Sequence, residues 1–138
     1  MIKIRDLTFE YFDRDDEGNL TEMVNAIRGI NFDAGEGEFI VVAGVNGSGK
    51  SKFAKILNRL LLPIEGTVLI GGLDAMQEEN IIPIRKMVGM VFQNPDDQLI
   101  GSVVEEDVAF GAENIGVPHK ELVKRVEDAL AQVGLSAS

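Results

Sequence analysis

The stretch GVNGSGKSK, Gly44 to Lys52, decides how this chain is read. Gly44, Gly49, Lys50 and Ser51 satisfy the spacing G-x-x-x-x-G-K-S/T, and the flanks agree with it. Before it runs FIVVA, Phe39 to Ala43, a bulky apolar segment of the kind expected for a strand buried on both faces of a parallel sheet. After it, Phe53, Ala54, Ile56, Leu57, Leu60 and Leu61 recur at three and four residues, which predicts a helix from Lys50 to Leu62, stopped by Pro63. Glycines let such a loop fold so that amide N–H groups point inward, and the helix N-terminus adds partial positive charge there. A triphosphate fits that nest, with Lys50 against the β and γ phosphates and the Ser51 hydroxyl completing a Mg²⁺ shell. The competing explanation, a glycine-rich turn with a chance lysine, does not account for strand, loop, lysine, hydroxyl and helix together.

Outward from this loop, apolar residues at Ile2, Ile4, Leu7, Phe9 and Tyr11 predict a strand with one register irregularity. A polar loop, DRDDEGNLTE at 13–22, follows, and Met23 to Phe32 predicts a second, antiparallel strand before a turn at Gly35 to Gly37. GTVLIGG is a short strand, VGMVF at Val88 to Phe92 a further buried one, and two helices are expected over Val103–Asn114 and Pro118–Val133. The second has proline near its first turn and Gly134 just past its end. With 138 residues the chain is long enough for one domain's core, and 45% hydrophobic with 26% charged residues excludes general disorder. Its formal charge of -10 argues against nucleic acid, DNA included, so any phosphate is held locally. No cysteine is present, which removes disulfides and thiolate metal sites. No signal-peptide pattern opens the chain, and no apolar run approaches the ~20 residues that span a bilayer.

The octapeptide GVNGSGKS resembles the nucleotide-binding domains of ATP-binding cassette (ABC) transporters, where G-x-N-G-S/A-G-K-S is characteristic. The segment VFQNPDDQLIGSVVEEDVAFGAENIGVP is similar, more narrowly, to the ATPases of energy-coupling factor (ECF) transporters, which import vitamins or cobalt and nickel ions. The resemblance implies an α/β fold: a phosphate-loop (RecA-like) NTPase core with an antiparallel β subdomain and part of a helical subdomain, truncated. On that pattern residues 1–35 and 64–75 form the antiparallel region, 36–62 and 86–95 the phosphate-loop core, and 96–134 the partial helical region. It also implies ATP and Mg²⁺ as ligands. Tyr11 matches the aromatic residue on which adenine stacks; Gly44, Asn46, Gly47, Ser48, Gly49, Lys50, Ser51 and Lys52 match the phosphate-binding loop. Lys50 and Gln93 match catalytic positions, and Ser51 and Gln93 metal-contacting ones, Gln93 also reaching the attacking water. The implied partners are a transmembrane coupling subunit and a second ATPase subunit, at the cytoplasmic face of the membrane.

The pattern also has departures. A signature of the L-S-G-G-Q type, an apolar strand ending in Asp-Glu and the switch histidine are not among these 138 residues. Neither ATP hydrolysis nor an ATP-driven head-to-tail dimer is expected of them alone, since the missing glutamate is the usual general base. Leu130 and Val133 are expected to lack packing partners, exposing apolar surface and favouring self-association. The alternative is a naturally short, non-catalytic nucleotide-binding regulatory module; a GTPase is disfavoured because N-K-x-D is absent. Lys52 stands where the family usually has threonine; lysine donates but does not accept hydrogen bonds, and it can face solvent, the preferred expectation, or reach a phosphate. Asp74 after TVLIGG imitates a metal-binding strand end, but two glycines intervene. Asp96 and Asp97 are expected to shape their loop, Glu105, Glu106 and Asp107 to favour a helix start, and His119 to be a solvent-exposed helix-entry residue.

Overall fold

Alternation of apolar and polar residues lays down the first sheet. The computed structural model describes residues 1–14 and 20–135. In it β1 (Ile2–Arg14) pairs antiparallel with β2 (Leu20–Ala34), so both expected strands form and each is longer than the periodicity suggested. The centre of the polar loop between them, 15–19, lies outside the described residues. On the other side of β1 runs β3 (Glu65–Ile70), which turns through Gly71 and Gly72 into the short β4 (Leu73–Asp74). The sheet order is β2-β1-β3-β4.

The register irregularity in β1 has a physical form. Ile4 pairs with Phe32 and Leu7 with Ile30, so one extra residue is accommodated in β1, next to Asp6 at φ 50. Asn31 holds it: its Oδ1 accepts from the Asp6 N–H and its Nδ2 donates to the Asp6 carboxylate, both at 3.1 Å. The bulge keeps Ile4, Leu7 and Phe9 on the buried face despite the broken alternation. Gly66 of β3 crosses it so closely that a Cβ would lie 2.5 Å from the Arg5 carbonyl oxygen.

Against this sheet lies α1 (Lys50–Leu57), with Phe53 and Ile56 buried. It ends five residues before the expected Leu62. Arg59 takes φ 59, its N–H donates to Ile56 O at 3.0 Å, and the Leu60 N–H donates to Lys55 O at 2.8 Å. Those bonds are a Schellman termination with arginine in the position glycine usually holds. The Arg59 Nε donates to Ala75 O at 2.7 Å, a tertiary anchor that no helical periodicity contains. A further helix, α2 (Ile81–Met87), was not expected from the pattern because Pro83 interrupts it. Proline is tolerated in a first turn, whose N–H groups have no intrahelical partner, and Ile84 is fully buried in the same core.

Two expectations are corrected. Phe39–Ala43 and Val88–Phe92 are not strands; neither joins a ladder among the described residues. Phe39 is 92% and Val91 87% exposed. A strand exists only by hydrogen bonding to a neighbour, and the four strands among the described residues pair with one another in an antiparallel sheet that neither segment joins.

The chain divides into two compact units, Met1–Met90 and Val91–Ser138. In the second, α3 (Val104–Asn114) and α4 (His119–Gln132) follow the expected spans closely and bury Ala109, Leu122, Val126 and Leu130 together. Leu130, expected to be left uncovered, is 6% exposed because α3 covers it, whereas Val133 is 72% exposed.

Gly66 and Gly72 make a paired test, since both have positive φ but only Gly66 faces backbone at contact distance. Gly72→Ala should cost about 1 kcal/mol of left-handed strain, and Gly66→Ala more than about 3 kcal/mol because the bulge must move. Urea unfolding midpoints of the two variants measure the difference.

Candidate functional site

The loop between Ala43 and α1 is built by its glycines. The Ser48 N–H closes a turn onto Val45 O at 3.2 Å, Gly47 at φ 82 occupies its third position, and Gly49 at φ 88 caps α1. Gly44 packs closely on Ser48: a Cβ there would sit 2.6 Å from Ser48 Oγ, so the hydroxyl would have to turn away. The Phe53 N–H donates to Gly49 O at 2.8 Å and starts the helix, while no side chain caps it and no acidic residue lies in its first turn. Its leading N–H groups therefore keep the positive end of the helix dipole. Lys50 curls back over the loop, its Nζ donating to Gly44 O and Val45 O, each at 2.8 Å, with Ser48 Oγ at 3.5 Å. Ser51 is exposed, and its hydroxyl has no partner among the described residues.

The structure brings Tyr11 to the same helix turn. Its ring packs beside Phe9, centroids 6.5 Å apart, and the Lys52 ammonium sits 4.2 Å from its centroid. Lys52 is thus half-buried on an aromatic face rather than directed to solvent, the arrangement preferred from sequence. A cavity of about 410 Å³ opens next to the loop, between Ile27, Arg28 and Phe32 on one side and Val42, Gly44 and Lys50 on the other. Its lining is mostly apolar but includes Gly44, Ser48, Gly49 and Lys50 of the loop, while Ser51, Lys52 and Tyr11 lie outside it.

The sequence pattern of the family described as ABC transporter matches residues 27–138. The chain belongs to the ABC transporter family. It is similar to the energy-coupling factor transporter ATP-binding protein EcfA1 of Clostridium perfringens, 50% identical over 98% of this chain and 47% of the relative. EcfA1 of Symbiobacterium thermophilum is 55% identical over 80% of this chain and 39% of its own length. Among solved structures, cbiO1 from Clostridium perfringens, described as part of the ABC transporter complex cbiONQ, matches with a TM-score of 0.74 at 34% identity, over 97% of this chain and 50% of that one. A dimeric ATP-binding cassette in a post-hydrolysis state with ADP and Pi gives a TM-score of 0.78 at 27% identity, over 99% of this chain and 58% of that one. The chain spans about half the length of the curated relatives it matches. The fold class is the expected one, an α/β chain of the phosphate-loop NTPase type carrying an antiparallel sheet.

The donor set fits the ligands typical of ABC ATPase domains. A glycine loop, an uncapped helix end and a lysine folded across the loop suit a phosphate chain; an exposed serine hydroxyl beside them suits a hard cation with oxygen ligands. Gln93 belongs to the other compact unit, where it is exposed just before the 3₁₀ turn Pro95–Gln98. Asn94 caps that turn by accepting from the Asp96 N–H at 3.3 Å, while the side chain of Asp97 lies outside what is described.

The remaining acidic candidates have structural occupations. Asp74 accepts from the Met76 N–H at 2.8 Å, shaping a turn, and no cluster of acidic and histidine side chains suited to a metal occurs among the described residues. His119 is exposed at the first position of α4. Asp107 clips the loop before α3, accepting from the Ile100 N–H at 2.7 Å and the Gly101 N–H at 2.9 Å. The Gly101 amide first, then that of Ile100, holds its carboxyl below the ordinary carboxylate range. Because the folded value is the lower one, this contribution is present above the unfolded pKa of ~3.9 and is lost as pH falls through the folded value. NMR titration of the Asp107 carboxyl should therefore give a midpoint below ~3.9, and Asp107→Ala should release the Ile100 and Gly101 amides to faster hydrogen exchange at neutral pH.

Proposed function

We propose that this chain is the nucleotide-binding part of an ECF-type ABC importer ATPase, taking MgATP at the Gly44–Lys52 loop. The observation that carries this is Lys50 held across the loop carbonyls beside an exposed Ser51 at an uncapped helix start, in a chain of the ABC family. In this role the loop amides and Lys50 bind the phosphates, the Ser51 hydroxyl contacts Mg²⁺, and Tyr11 offers a face for adenine. By the family resemblance, Gln93 would supply a metal contact and orient water. Bound Mg²⁺ would neutralise charge that develops on the phosphates.

The whole protein would hydrolyse ATP to drive uptake of a vitamin or transition-metal ion. It would sit peripherally at the cytoplasmic face of the membrane, with a transmembrane coupling subunit and a second ATPase subunit as partners. The names of the relatives support this reading, since one is an ECF transporter ATP-binding protein and another is part of an ABC transporter complex. Residues 1–35 and 64–75 then serve as the antiparallel β region, 36–62 and 86–95 as the phosphate-loop core, and 96–134 as the partial helical region.

Calorimetric titration with MgATP tests the reading. Lys50→Ala should weaken binding by about a hundredfold, ~2.7 kcal/mol, because it removes a charge-assisted contact to phosphate. Ser51→Ala should instead reduce the dependence of binding on Mg²⁺. Equal affinity of Lys50→Ala and the parent chain would refute the assignment.

A further inference from the structure

Two lysines leave the first turn of α1 and find different partners. The charge of Lys50 is engaged by two carbonyl oxygens of the loop. Lys52, in contrast, has only the Tyr11 ring, 4.2 Å from its ammonium, and no carboxylate pairs with it among the described residues. A cation on a partly exposed aromatic face is held weakly, and a phosphate oxygen binds an ammonium more strongly through a charge-assisted hydrogen bond. The ring under Lys52 is also the surface that the proposed function gives to a base, and base and ammonium compete for a π face. The four-carbon stem of Lys52 lets its charge swing without moving the helix backbone.

We propose that Lys52 is a specificity-determining residue that couples phosphate binding to base recognition. It rests on Tyr11 and transfers to a phosphate oxygen when the neighbouring loop fills, so that the ring opens to a base in step with phosphate capture. The inference rests on the phosphate-loop reading above. The site then discriminates against nucleosides, which carry a base but nothing to draw Lys52 away, and favours ligands with a phosphate chain.

The composition supplies the reporter. Tyr11 is the single tyrosine and the chain has no tryptophan, so tyrosine emission reports on this ring alone. The probe is magnesium tripolyphosphate, which has phosphates but no base, followed in parallel by calorimetry. In the parent chain, binding should be accompanied by a saturable change in Tyr11 emission. In Lys52→Met that change should vanish while tripolyphosphate still binds, and in Lys52→Arg, which keeps the charge, it should return. The preference for ATP over adenosine, measured by calorimetry, should fall by about tenfold in Lys52→Met. Tripolyphosphate binding to the parent chain without a change in emission, or an unaltered change in Lys52→Met, would overturn the coupling and leave the phosphate loop intact. If the parent chain does not bind tripolyphosphate, or Lys50→Ala binds it equally well, the phosphate-loop reading fails and the coupling with it.

Discussion

Phe53 meets Phe32 edge-on, ring centroids 5.6 Å apart, and with Ile56 it pins α1 to the face of the antiparallel sheet. An α-helix turns about 100° per residue, so fixing these two side chains fixes the bearing of the residues before them. Ser51 is carried almost opposite the buried face and is exposed. Lys50 and Lys52 fall on opposite flanks, one toward the glycine loop and one toward Tyr11. The polar chemistry of the site is thus oriented by an apolar contact on the far side of the helix. Removing the Phe53 ring would take away that reference without touching a single polar group.

The electrostatics are local in the same way. A chain of formal charge -10 repels anions at long range, and only short-range donors can reverse that. Loop amides, the uncapped start of α1 and two lysines supply them within one helical turn. The apolar segment that leads into the loop is exposed and unpaired, so the loop takes its order from α1 behind it and from the Lys50 bonds across it. Phe39 and Val41 are exposed apolar residues of the kind that neighbouring strands cover in α/β proteins.

The long-range order of the sheet was partly legible. Period-two alternation located β1 and β2, and a register irregularity was visible between Ile4 and Leu7, although the Asn31 clamp and the close crossing of Gly66 were not. The closing helices were legible because their apolar stripe and terminal Pro118 and Gly134 act within one turn. By contrast, α2 was hidden by Pro83, and the end of α1 was misplaced because its stop comes from Arg59 reaching Ala75 rather than from Pro63.

For the site itself, residue type and spacing determined what the sequence could determine: a glycine loop able to bend, a lysine and a hydroxyl at a helix start, and an aromatic residue on a strand. These depend on backbone freedom and on chemistry within a few residues of each other. The tertiary structure alone decided that Lys52 lies on Tyr11, that α1 ends at Leu57, and that Phe39–Ala43 joins no ladder. Each of these depends on a partner distant in the chain, and a cation–π contact, a side-chain anchor or a strand ladder leaves no periodic trace at either residue that makes it.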